Sequence, residues 1–221
     1  MVKGYKSKVD ERKNAMVKDD NFMEDDNVKS NAEEIENQSI QGEVVDGRVV
    51  VSNKSSIDEL ARRGYGYKEE IDGRERYCLY MYEALYLLYT SKMIVKYDDG
   101  RALTFDELVD EALKYDNSAW IKFLIYRDLR SRGYVVREGF GFNNDFRVYD
   151  RGDYSSKPAR YVVFALNEGR EVKIDTLSSI VEQISTMGKE PIMAVVERRG
   201  EVIYYKVSKM HFADLKRISI E

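Results

Sequence analysis

Cysteine and histidine are nearly missing from this 221-residue chain, which carries one of each. A single cysteine, Cys78, excludes an internal disulfide framework and a cysteine-based zinc site. It stands in an apolar stretch, where a buried structural thiol is expected rather than a nucleophile. Long apolar runs are also absent, so no membrane span or membrane partner is expected. The polar N-terminus lacks the apolar centre of a signal peptide, and a cytoplasmic location is expected. An excess of positive charge is missing too: 36 Lys and Arg stand against 40 Asp and Glu, a net charge of −4. Any contact with nucleic acid must then come from a local basic face or from a partner. What is present is a globular balance, 43% hydrophobic and 34% charged, in a chain long enough for one large or two small domains.

Residues 1–42 are charged, Asn-rich and without sustained period, and read as a disordered arm. EVVDGRVVVS from Glu43 reads as two strands around an Asp46-Gly47 turn. Ser56 is placed to cap a short helix ending at Gly64. Tyr77–Ser91 reads as one helix, with Met81, Leu85 and Leu88 on its apolar face. KMIVKYDDGRAL resembles a hairpin around Asp99-Gly100. Thr104 and Glu107 form a capping box for the following helix, and a further helix runs from Ser118 to Arg132. Beyond Gly133 the period changes to two. YVVRE, DFRVYD and RYVVFAL are strand candidates, followed by a helix from Asp175 or Thr176 and a hairpin of IMAVVE and EVIYYKV. The tail from Met210 to Glu221 is expected to dock as a short helix. The expected fold class is α+β: an arm over 1–42, a small mixed N-terminal domain over 43–116, and an α/β C-terminal domain with a mixed sheet over 117–221.

Tyr126–Gly152, YRDLRSRGYVVREGFGFNNDFRVYDRG, strongly resembles the tRNA-intron endonuclease family, in which a YRDLR-x-RGY helix end enters a strand followed by G-x-DFRVY. The likeness continues through RYVVFAL and PIMAVVERRGEVIYYKV. Upstream, DGRVVVS, RRGYGY and YEALYLL look like that family's N-terminal domain, so the resemblance spans about Glu43 to Val207. It implies a restriction-endonuclease-like C-terminal fold and metal-free, cofactor-free cleavage of pre-tRNA. A tyrosine would act as base on the ribose 2′-OH, a histidine would protonate the leaving 5′-oxygen, and a lysine would face the charged phosphorane. The products would be a 2′,3′-cyclic phosphate and a 5′-hydroxyl.

Carried over, the tyrosine falls on Tyr149 and the lysine on Lys189. The histidine position, a few residues before RYVV, holds Pro158, and proline has no proton to donate. The one histidine, His211, stands in the tail and reads as a packing or surface residue. A second departure is Glu182, where the family usually carries an arginine that holds flipped bases. The expectation is therefore a structural subunit of a hetero-oligomer, partnered by a catalytic subunit and pre-tRNA.

Other candidates are less specific. Arg127, Arg130 and Arg132 on one helix are candidate phosphate contacts, set against cations that complement a helix C-terminus. In the family the turn between the last strands docks on a partner, which points to Glu197 and Glu201. Its final strand pairs with another subunit, which points to Val202, Tyr204 and Lys206. The turn is acidic at its ends but basic at Arg198 and Arg199, which weakens the electrostatic case. Three rivals stand beside this reading. One is an active homo-oligomer using another acid. Another is a metal-dependent nuclease with Asp145 and Glu197 on adjacent strands as Mg²⁺ ligands. The third is an RNA-binding scaffold outside tRNA processing.

Overall fold

Asp46 and Gly47 both adopt positive φ, 45° and 77°, and this tight turn folds β1 (Ile40–Val45) back on β2 (Arg48–Val51) in antiparallel register. The computed structural model describes residues 39–141, 145–167 and 171–210. Among the described residues, regular structure begins at Ile40 rather than Glu43, so Ile40–Gly42 of the expected arm are strand. The rest of that arm to residue 38, His211 and the tail beyond it lie outside the described residues. Gly42 is forced by packing: a Cβ there would stand 2.4 Å from Met93 Cε and 2.5 Å from Val49 Cγ1.

Helix α1 (Lys54–Arg62) is capped by Asn53, whose side chain accepts from the Ser56 N–H at 3.0 Å, so Ser56 supplies the donor and not the cap. The largest correction concerns Tyr77–Ser91. A second Asp-Gly turn, Asp72-Gly73 with φ of 52° and 70°, pairs β3 (Tyr67–Ile71) with β4 (Arg74–Tyr80). The first four residues assigned to a helix are therefore strand, held between β2 and β3. Only Met81–Tyr89 forms helix α2. The changeover comes at Tyr80, whose N–H donates to Glu83 Oε2 at 3.1 Å. The apolar run hid it because strand and helix here are both buried and periodicity cannot separate them.

β5 (Met93–Lys96) runs parallel to β1. The Asp99-Gly100 turn leaves a single bridge, Lys96 to Ala102, instead of a full hairpin. Helix α3 (Phe105–Tyr115) carries the Thr104/Glu107 capping box, and α4 (Ala119–Ser131) ends before Gly133 at φ 87°. Then come β6 (Val135–Glu138), β7 (Phe146–Tyr149), β8 (Tyr161–Asn167), α5 (Ile174–Thr186), β9 (Glu190–Val196) and β10 (Val202–Lys206). The result is a mixed α/β fold with two five-stranded sheets, ordered β3-β4-β2-β1-β5 and β10-β9-β8-β7-β6.

Helix α4 packs on α2 and α3 and also on β6, β8, β9 and β10. Its Phe123, Leu124, Ile125 and Tyr126 are buried in one core with Leu79, Leu85, Phe146 and Val148. The opposite face of the second sheet carries a smaller core, in which Val162 and Phe164 sit under Ile180, Val181 and Ile184 of α5.

Candidate active-site corner

The topology of the second sheet gathers chemistry at one end. β8 and β9 are parallel, joined through α5, so their amino ends lie side by side. β7 is antiparallel to β8, so its carboxyl end, Tyr149, reaches the same place. The Arg160 N–H donates to Val148 O at 3.1 Å and the Glu190 N–H to Arg160 O at 3.0 Å, which lock the three strand ends together.

At this corner the Tyr149 ring meets the Tyr154 ring edge-on, centroids 5.1 Å apart. Lys189 follows Gly188, whose φ of 67° turns the chain out of α5. The Lys189 ammonium donates to the Ala159 carbonyl at 2.7 Å. Ala159 is buried, and its neighbour Pro158 is exposed. Tyr149, Lys189 and the Pro158 segment therefore share one sheet end. A chain of charges crosses the strands beside them. Arg160 pairs with Asp150 at 3.3 Å and Glu190 at 2.9 Å, and Lys206 pairs with Glu190 at 2.6 Å. Lys206 and Arg160 hold the Glu190 carboxyl below its ordinary pKa. Sequence reasoning missed this chain, because its members become neighbours only through the strand register.

Two family models match the chain: the tRNA intron endonuclease N-terminal domain over residues 40–109 and its catalytic C-terminal domain over 119–204. A Methanococcus maripaludis protein named tRNA-splicing endonuclease is 32% identical over 77% of this chain and 94% of its own length. One from Pyrococcus furiosus is 33% identical over 75% and 93%. One from Methanococcoides burtonii is 30% identical over 77% of this chain but 46% of its own length. The chain belongs to the tRNA intron endonuclease family.

The other candidate residues fare unevenly. Arg130 is spent inside the protein. Its guanidinium lies 3.8 Å from the Tyr65 ring centroid and donates to Arg63 O at 3.0 Å, Gly64 O at 3.2 Å and Tyr126 Oη at 3.0 Å. Arg130 thereby clamps the RRGYGY turn onto α4 with all three of its guanidinium nitrogens. Arg132 forks onto Asp128 at 2.8 and 3.1 Å, and Arg127 stands over the Tyr89 and Phe123 rings at 5.8 and 5.7 Å. Both have the local partners of a helix C-terminus. Asp145 and Glu197 are not on adjacent strands, since β8 separates β7 from β9. Asp145 is buried and accepts from the Phe140 and Gly141 N–H groups at 2.6 and 3.0 Å, so it organises its loop. Glu182 is exposed and pairs with Lys209 at 2.6 Å.

The last hairpin closes at Glu197–Glu201, where the Gly200 N–H donates to Glu197 O and the Glu197 N–H to Glu201 O, both at 2.9 Å. β10 is an outer strand with β9 as its neighbour in the sheet. Val202 and Tyr204 lean on the core, and burial pushes the Tyr204 hydroxyl pKa up. Ile203 and Tyr205 on the other face are exposed.

Proposed function

We propose that this chain is the structural subunit of a tRNA-splicing endonuclease, bracing a catalytic subunit and fixing the spacing of active sites on a bulge–helix–bulge pre-tRNA. The observation that carries the reading is Pro158 at the corner formed by Tyr149 and Lys189. Strand scission by this chemistry needs three groups: a base for the 2′-oxygen, a cation for the phosphorane and an acid for the leaving 5′-oxygen. Tyr149 offers the first and Lys189 the second. At the third position stands a proline, which has neither a backbone N–H nor an ionisable side-chain proton to donate. The assembly would leave a 2′,3′-cyclic phosphate and a 5′-hydroxyl through its catalytic subunit. Glu182 supports the reading, since it puts a carboxylate, paired with Lys209, where the resemblance expects an arginine.

The outer strand β10 is the docking element, extending its sheet with the partner's through Val202–Lys206 while Glu197 and Glu201 flank the turn. Mixing the chain with a catalytic family member from the same source tests this. A complex at equal stoichiometry that cleaves pre-tRNA, with slowed hydrogen exchange along β10, is expected. Failure to associate, or fast exchange along β10 in the complex, overturns it. The retained Tyr149 and Lys189 favour one second reading, an active homo-oligomer in which water or another group is the acid. In that case Lys189→Ala abolishes cleavage by the chain alone.

A further inference from the structure

Two arginines stand directly opposite each other across the outer strand pair of the second sheet: Arg137 of β6 and Arg147 of β7. Like charges at such positions repel and cost stability unless something anionic answers them. Arg147 gives its Nε–H to the Glu138 carbonyl at 2.8 Å, which leaves its terminal nitrogens available. Among the described residues no carboxylate oxygen lies within 4 Å of either guanidinium. The nearby buried carboxylate is Glu83, whose pKa burial raises to about 7 against the opposing pull of Arg137. Its two oxygens are already taken by the Gly66 and Tyr80 N–H groups at 3.1 to 3.2 Å.

The surroundings fit a nucleic-acid backbone. Phe140 is 43% exposed, with the Arg147 guanidinium 5.4 Å from its ring centroid. Tyr80 of β4 stacks between Tyr67 and Tyr82, at 4.5 and 5.3 Å, and burial pushes its hydroxyl up to about 12 against the opposing pull of both arginines. Arginines interleaved with aromatic rings bind phosphates and stack bases. The pair also stands in register with the active-site corner. Val135 opposite Tyr149 is the next same-face pair along these strands, about 7 Å away at the rise of a β-strand.

We propose that Arg137 and Arg147 form an RNA phosphate site, holding the backbone next to the Tyr149 corner, with Phe140 flanking a base. Phosphate contacts of this kind fix register without reading sequence. The site rests on the RNA reading of the family corner but not on whether this chain cuts.

The test is fluorescence anisotropy of a labelled bulge–helix–bulge RNA with the full chain, across a salt series. Arg137→Gln should weaken binding about tenfold and flatten the logarithmic salt slope by about 1. Arg137→Lys should keep the slope. Phe140→Ala, at an exposed position, keeps the test open should Arg137→Gln fail to fold. It should weaken binding with the slope unchanged. Parent-like affinity and slope in Arg137→Gln and Phe140→Ala would overturn the proposal. So would unchanged RNA binding with lost association to the catalytic subunit, which would assign the pair to a protein contact. Cleavage by the chain alone would overturn only the structural-subunit reading and leave this site standing.

Discussion

The seam between the two sheets and the corner at Tyr149 use the same residue types to opposite ends. In the seam, Glu83, Tyr77 and Tyr82 are buried and Arg130 half-buried, and each polar group meets a fixed partner: Arg130 the carbonyls of residues 63 and 64, Glu83 the N–H groups of Gly66 and Tyr80, Tyr82 Oη the Glu138 carboxylate at 2.5 Å. Tyr77 Oη likewise donates to Tyr65 O. At the corner the charges sit on exposed strand ends and pair with one another across solvent. A buried polar group must be satisfied or the fold loses several kcal/mol, whereas an exposed pair contributes little. The lesson is that the family's signature residues divide into those that hold the architecture and those that perform chemistry. This chain keeps the first set, and in the reading proposed above its corner has proline where the acid would stand.

That contrast can be broken at its strongest point by Arg130→Met. The change strips two carbonyls of their donor and the Tyr65 face of its cation, and should cost about 4 kcal/mol. Urea unfolding followed by circular dichroism checks it, and a loss under about 1 kcal/mol would show that the seam is not clamped there. A somewhat smaller effect is expected from Glu83. Burial raises its pKa from 4.5 to about 7, against the opposing pull of Arg137 and the two N–H donors. The folded state therefore binds this proton more tightly than the unfolded chain. The stability it contributes is complete below about pH 4.5 and is lost as pH rises through about 7, a fall of about 3 kcal/mol. Urea midpoints at pH 5 and pH 8 should show that fall, and Glu83→Gln should flatten it. A parallel fall in the Gln variant would assign the pH dependence elsewhere. The smallest effect belongs to the corner. Arg160→Ala removes the link between Asp150 and Glu190 but should leave the unfolding midpoint nearly unchanged, with any difference erased by added salt. A large salt-resistant loss would make the corner structural like the seam.

Much of this was legible in the residues. The Asp46-Gly47 turn, the Thr104/Glu107 capping box and the period-two runs after Gly133 each carry a local physical cause, and each element formed where that cause lies. Tyr149, Lys189 and Pro158 were placed by motif, and the parallel β8–β9 connection brings their segments together. Two things were not legible. The carboxyl half of the strand Arg74–Tyr80 was hidden inside an apolar run that continues into α2, although Asp72-Gly73 was the available signal for a hairpin. The fate of the arginines depended on burial. Arg130 looked like Arg127 and Arg132 in sequence but stacks on Tyr65, 65 positions earlier in the chain. Arg137 and Arg147 face each other only because of a register that no single strand encodes.

The most direct test of the central claim is incubation of a bulge–helix–bulge RNA with this chain alone, at high concentration in EDTA. The account predicts intact RNA, because no group at the Pro158 position can protonate the leaving 5′-oxygen. Cleavage to a 2′,3′-cyclic phosphate by the chain alone would contradict it and show that Pro158 does not disable the corner.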